Sequence, residues 1–395
     1  MNIFKLYPKR ITNGFIAVVH APLLLLIYIM SPLIKIRFGY FSTDRIGHFA
    51  VDLGYAIAIN KEIANNKNRR EVIFYYLQDE ICNSQLKIIA KRELSVNQYY
   101  KYFVYAYTLL GLSSKIVIPY RHKCASRDID GIMINFNYNI SLLDKENTIA
   151  EEYLKKYGWI KGEKFVCLNV RDSAFFNESK EVHNHNAFRN SDIDDYEAAV
   201  NYLLNMGYWV VRMGRKVERP FKIKHSRLID YGVDPNSSDL LDIWLSKNCY
   251  FFISTGTGID SVAQMFKKPI VIVNLLPIIS LLSWLNTVTM PKRLFWEKGK
   301  ELSLTEHLNN NLKGCQYKEK GIKIVDLTPD EIKCGVQEMV ARLNDMPLTS
   351  KNVQNQKKFW HILEQHETYS KFHNIRDLNA SFALSFLDNN PDFLV

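Results

Sequence analysis

Phe251-Phe252-Ile253-Ser254-Thr255-Gly256-Thr257-Gly258-Ile259-Asp260-Ser261-Val262-Ala263-Gln264-Met265-Phe266 reads as an apolar strand, a Ser/Thr/Gly turn, and a helix with Ile259, Val262, Ala263 and Phe266 on one face. Lys267-Lys268-Pro269 then punctuates the chain before an apolar strand expected over 270–273. Strand, helix, strand in that order is the unit of a parallel sheet. Upstream the same grammar recurs, with strands expected over 165–170, 208–213, 228–231 and 250–253 and a helix over 239–246. Another helix is expected to open at Ser191 as N-cap, with Asp194 three residues on. Its Tyr196, Ala199, Val200, Leu203 and Leu204 repeat at i, i+3, i+4, i+7 and i+8, and Gly207 stops it.

The amino-terminal half alternates in the same way. Strands are expected over 33–40, 71–77 and 115–119, and the polar turn Phe41-Ser42-Thr43-Asp44-Arg45-Ile46-Gly47-His48 leads into a run with helical spacing. The pattern predicts an α/β chain of two doubly wound, Rossmann-like domains over 33–150 and 151–345, with a join near 145–160. A hydrophobic segment over 1–32 precedes them. A helical tail over 346–395, rich in aromatic residues such as Phe359, Trp360 and Phe382, is expected to pack back on the body.

Composition narrows the class. With 395 residues, 47% hydrophobic and 23% charged, the chain is globular, which excludes disordered, collagenous and disulfide-stapled types. The net charge of +10 favours anionic partners such as nucleotides, phosphates or an acidic membrane surface. Nucleic acid is disfavoured, because no basic and aromatic stacking motif accompanies the charge. The six cysteines form no CxxC pair and read as reduced thiols of a cytosolic protein.

Between Ile11 and Ile34 no residue is formally charged, while Lys5, Lys9 and Arg10 precede this stretch and Lys35 and Arg37 follow it. It runs directly into an expected strand and has no small-residue cut site, so a cleaved export signal is rejected. Pro22 sits in its middle and basic residues flank both ends, which suits a bent helix half-inserted in the cytoplasmic leaflet better than a span. A helix buried against the next domain is the alternative. The expected location is cytoplasmic, peripheral or monotopic at the inner membrane.

Three polar groups fall at expected strand ends, where open α/β sheets bind ligands. Ser254, Thr255, Gly256, Thr257, Gly258 and Asp260 form a turn whose amides and glycines suit a phosphate or diphosphate, although the spacing is neither GxGxxG nor a P-loop. Asn169 and Arg171 fall at the end of one strand, and Arg212 and Arg215 end and follow another. Guanidinium groups there would neutralise a diphosphate leaving group. In the amino-terminal half, Asp44 and His48 occupy the first strand-to-helix turn and could serve as general base on an acceptor hydroxyl. A cap and a hydrogen-bonded His are the bland alternatives.

No metal is expected. His183 and His185 lack a clustered third ligand, and the DxD matches Asp128-Ile129-Asp130 and Asp192-Ile193-Asp194 are too short to stand alone. Asp192 and Asp194 already have a helix-start explanation.

Several of these runs resemble a family of bacterial glycosyltransferases found among surface-polysaccharide genes for capsule and O-antigen assembly. They are Cys167-Leu168-Asn169-Val170-Arg171-Asp172, the stretch from Phe188 to Tyr196, Gly207-Tyr208-Trp209-Val210-Val211-Arg212-Met213-Gly214, the turn 254–260, and Arg45-Ile46-Gly47-His48. The match covers roughly residues 35–300. The resemblance implies a GT-B architecture, two Rossmann-like domains facing a cleft, with the acceptor on the amino-terminal side and the nucleotide-sugar on the carboxyl-terminal side. It implies no bound metal or other cofactor. One departure is visible: Asn236-Ser237-Ser238-Asp239 stands where the family would place an Arg before the Ser-Asp pair.

The expected function is transfer of a sugar from a nucleotide-diphosphate sugar to a lipid-linked or cell-surface glycan. Asn169, Arg171, Arg212, Arg215 and the turn would hold the donor, and Asp44 or His48 would act as base. An epimerase of the same fold, which turns over donor without acceptor, is one alternative. A non-catalytic sugar-nucleotide-binding subunit of an assembly complex is the other.

Overall fold

Parallel strands cannot be joined by a tight turn, so each pair needs a crossover, and helices supply it in both halves of the chain. The computed structural model of the protein describes residues 7–66, 68–109, 128–135, 138–174, 187–312, 314–347 and 349–395. The chain divides into two units, 1–125 with 135–140 and 126–134 with 141–395.

In the first unit a helix, Tyr7–Met30, leads into β1 (Lys35–Phe41), the helix Ile46–Asn65 and β2 (Glu71–Leu77). β1 and β2 are parallel, from Lys35 opposite Glu71 to Phe41 opposite Leu77. β1 starts later than the expected 33 because the amides of Leu33 and Ile34 close the preceding helix on the Met30 carbonyl, at 2.9 and 3.0 Å. The helix Tyr100–Leu109 covers the sheet, with Phe38 stacked on Phe103 at 5.1 Å between ring centres. The strand expected over 115–119 lies outside the described residues. The helix Asp144–Lys155, which the expected boundary at 150 would divide, falls wholly in the second unit.

The second unit carries β3 (Phe165–Asn169), β4 (Trp209–Arg212), β5 (Leu228–Ile229), β6 (Phe252–Ser254), β7 (Ile270–Leu275) and β8 (Thr287–Pro291). β9 (Arg293–Trp296) and β10 (Ile322–Val325) form a separate antiparallel pair, and β11 (Ala380–Phe382) returns to the main sheet. The main sheet has the order β11-β8-β7-β6-β3-β4-β5, and every neighbouring pair is parallel. Val166, Leu168, Val210, Val211, Ile253 and Val271 are fully buried, as the continuous apolar strands of a sheet covered on both faces require.

Two expectations are corrected here. The tail is not wholly helical: after the helix Ser350–Gln365 it gives the sheet its edge strand β11, parallel to β8. Three residues are too few to show a period of two, so this strand carries no sequence signal. Ser191 is not an N-cap. Its hydroxyl accepts Asn274 Nδ2 at 3.0 Å, while Asp192 caps a 3-10 turn, Ile193–Tyr196, by accepting the Asp194 amide at 2.9 Å. The α-helix proper is Glu197–Asn205.

The strand order fixes where a ligand can sit. From β3 the chain steps outward through β4 and β5, then crosses back to β6 and proceeds the other way. β3 and β6 stay paired to their last residues, Asn169 opposite Ser254, and the connections that leave them run to opposite sides of the sheet, a topological switch point of the kind where open α/β sheets bind their ligands.

Candidate functional site

Two of the expected groups meet at that switch point. Asn169, the last residue of β3, donates from Nδ2 to Thr257 Oγ1 at 2.7 Å, and the Arg171 amide donates to Thr255 Oγ1 at 2.9 Å. These bonds tie the end of β3 to the turn after β6.

The turn is built around one buried carboxylate. Asp260 Oδ2 accepts the Ser254 hydroxyl at 2.7 Å and the Thr257 amide at 2.8 Å, and Oδ1 accepts Gln264 Nε2 at 3.1 Å. Burial raises the Asp260 pKa, while the bonds from Ser254 and Thr257 favour its ionised form. Gly256 has φ +73°, a conformation that side chains disfavour, and its amide donates to Ser254 Oγ at 3.1 Å. The amides of Gly256 and Thr257 are thus occupied by the turn itself. Ser254 and Asp260, both expected to contact donor, form the frame of the turn.

The cations sort differently from expectation. Arg171 donates from Nε to Asn190 Oδ1 at 3.2 Å, and Arg189 donates from Nη2 to the Gly256 carbonyl. Burial lowers Arg171 to about 10, and the charge of Arg189 adds to the effect. Burial also lowers Arg189, with Asp260 opposing. Two like charges that are partly desolvated at one turn gain from any anion that enters. Arg189 escaped the sequence reading as a donor contact because it stands 67 residues from Gly256 in the chain.

Arg212 and Arg215, also expected to hold donor, are committed to carboxylates. Arg212 is buried and donates to Asp230 Oδ1 at 3.1 Å and to the Arg219 carbonyl at 2.8 Å. Arg215 pairs with Asp242 at 2.8 Å and with Asp239, the acid of the departing Ser-Asp pair. Burial alone would lower Arg215, but Asp242 and Asp239 overcome it and hold the group above its ordinary value.

Lys292 organises the loop that carries Arg189. It is buried, and Nζ donates to the Asn190 carbonyl at 2.7 Å and to Asp326 Oδ1 at 2.5 Å. The Ser191 amide donates to the Arg171 carbonyl at 3.0 Å. Lys292 therefore pins Asn190, and the Asn190 side chain holds Arg171.

Beside this pair opens a cavity of about 310 Å³, lined by Val170, Asp172, Asn190, Asp192, Glu218 and Arg219 among others. Asp172 anchors its wall by accepting the Ala174 amide at 3.0 Å and the Glu218 amide at 2.8 Å. Arg219 is paired with Asp192 and Asp194. The lining is rich in acceptor oxygens, suited to hydroxyl donors and unfavourable to phosphate. Of the DxD pairs, Asp192 and Asp194 are engaged with Arg219 and Lys222, and Asp128 accepts the Ile134 amide at 2.7 Å. His183 and His185 lie outside the described residues.

Asp44 and His48 belong to the first unit and sit where expected, beyond the carboxyl end of β1. Asp44 Oδ1 accepts the Ser42 hydroxyl at 2.8 Å, and Arg45 Nε lies 3.7 Å from Oδ2. Burial would raise the Asp44 carboxyl, but the Ser42 bond and the charges of Arg45 and His48 hold it below its ordinary value. A carboxylate so stabilised is a weak base. His48 lies in the first turn of the helix Ile46–Asn65.

No protein-family model matches the chain, and no curated protein is similar to it in sequence. Solved structures with a similar course of chain include a glycosyl transferase of family 9 from Veillonella parvula, at 10% identity and TM-score 0.44, covering 66% of this chain and 86% of that one. They also include E. coli ADP-heptose lps heptosyltransferase II, at 11% identity and TM-score 0.41, covering 78% and 99%. A third is the S. aureus MnaA-UDP co-structure, at 12% identity and TM-score 0.30, covering 61% and 80%. None of them transfers a residue or a role to this chain.

Proposed function

We propose that the protein is a glycosyltransferase that takes a sugar from a nucleotide-diphosphate sugar and delivers it to a lipid-linked or cell-surface glycan, in the cytoplasm at the inner membrane face. The observation that carries this is that Arg171 and Arg189 are both held at the turn after β6, next to an acceptor-rich cavity. A nucleotide-diphosphate sugar has the matching polarity, a dianionic bridge flanked by hydroxyl-bearing rings. Arg171 and Arg189 would take the diphosphate, and the cavity would take hydroxyls.

In the reaction the acceptor oxygen attacks the anomeric carbon, the bond from that carbon to the diphosphate oxygen breaks, and the guanidiniums meet the charge that develops on the leaving group. The acceptor proton passes to Asp44 or His48. Direct base catalysis gives inversion. The nucleotide-sugar is substrate, and the proposal calls for no metal or other cofactor.

Turnover tests it. The protein should release nucleoside diphosphate from one nucleotide-sugar, faster with acceptor than without. Asp44→Asn and His48→Ala should identify the base by which of them lowers kcat with KM for donor unchanged. Donor interconversion at full rate without acceptor would favour an epimerase. Donor binding with no turnover would favour a non-catalytic subunit.

A further inference from the structure

From Val19 to Met30 the helix Tyr7–Met30 carries apolar residues on every side, yet this stretch buries only one stripe. His20, Leu24 and Ile27 face the helix Tyr100–Leu109 and β1, with Leu24 and Ile27 among Phe38, Phe103, Val104 and Tyr107. His20 Nε2 is 2.7 Å from Tyr99 Oη. The other sides project Val19, Leu23, Leu25, Leu26, Tyr28 and Ile29, with Leu25 59% and Ile29 62% exposed. Apolar side chains on contiguous turns around three sides of a helix form a patch of the kind that marks an interaction surface.

Charge selects the partner. Up to residue 43 the chain carries Lys5, Lys9, Arg10, Lys35 and Arg37 and no acidic residue, and of the two that follow the helix Arg37 is paired with Glu71 at 3.1 Å while Lys35 is exposed. The apolar stretch thus has basic residues before and after it. A second copy packed on this face would bring like charges together in either orientation. An anionic lipid surface satisfies both ends at once. Among the described residues no helix is long and apolar enough to cross a membrane. The buried stripe adds a reason: a helix fixed along one side to a folded unit cannot be surrounded by lipid.

We infer that the Tyr7–Met30 helix docks the protein on a bilayer containing anionic lipid, lying in its surface with the Leu25 and Ile29 side inserted and the His20, Leu24 and Ile27 stripe holding the first unit. The inference rests on the first unit alone and stands or falls separately from sugar transfer.

The test is sedimentation of the purified full-length protein with vesicles of phosphatidylcholine, with and without phosphatidylglycerol. Binding to the anionic vesicles, weakened by salt, is expected. The double variant Leu25→Glu/Ile29→Glu should lower the partition coefficient about tenfold or more at unchanged Tm. Lys35→Glu, at an exposed position after the helix, should lower it about fivefold. Wild-type protein that ignores anionic vesicles, or variants that bind as well as wild type, would overturn the inference. So would a dimer in light scattering that the double variant dissociates while vesicle binding is absent, because the face would then belong to a second copy.

Discussion

The side-chain amide of Asn169 donates to the hydroxyl of Thr257 at 2.7 Å, across the point where the strand order reverses. The two residues are 88 positions apart, and their bond sets the gap between the end of β3 and the turn after β6. Thr257→Val keeps the shape and removes the acceptor. A loss of about 1 kcal/mol is expected, seen as a fall in Tm of about 2–4 °C. Unchanged Tm together with unchanged ligand affinity would show that the clip does not position the turn.

Asp260 is the frame of that turn, so truncating it should exceed any effect of substituting the exposed residues nearby. Asp260→Ala leaves the Ser254 hydroxyl and the Thr257 amide without their acceptor, at a cost of about 2–3 kcal/mol in chemical denaturation. Asp260→Asn should cost less. Gln264 Oε1 is buried and unpartnered, so the Gln264 amide can turn over and accept from the new amide group. Equal losses for the two variants would contradict this arrangement.

The general grammar of the fold was legible because long apolar strands and helical spacing leave a strong periodic trace. The turn at 254–260 and the strand ends at Asn169 and Arg171 could be placed at one sheet edge from pattern alone. What each side chain bonds to could not. Arg212, Arg215 and Arg171 look alike as strand-end arginines, but Asp230, Asp239 and Asp242 claim the first two, and those partners lie 18, 24 and 27 residues downstream. Arg189 and Lys292 carried no signal for the same reason, since what they touch lies 67 and 102 residues away. β11 was invisible because three residues have no period.

Stability should fall as pH rises towards neutrality, first as Asp128, lifted by burial to about 6, ionises and then through Glu338. Burial lifts Glu338 from 4.5 to about 7, against the Leu384 amide and Arg342, which favour its charged form. A carboxyl with a folded pKa above its unfolded one stabilises most below the unfolded value, and that contribution is lost as pH passes through the folded value. The Glu338 contribution lost between pH 4.5 and above 7 should be about 3 kcal/mol, and Glu338→Gln should remove it. Because Glu338 Oε2 accepts the Leu384 amide at 2.7 Å, the carboxyl-terminal segment should show the change first in hydrogen exchange. A wild-type profile as flat as that of the Gln variant would contradict the assignment.

Calorimetric titration with UDP, GDP, CDP, ADP and CMP, repeated on Arg171→Ala, Arg189→Ala and Arg215→Ala, tests the central claim most directly. One nucleoside diphosphate should bind selectively. Loss of either Arg171 or Arg189 should weaken it by about 1–3 kcal/mol, and loss of Arg215 should lower Tm with affinity nearly unchanged. No binding by a well-folded sample, or equal affinity in all three variants, would contradict a diphosphate site at the β3 and β6 ends.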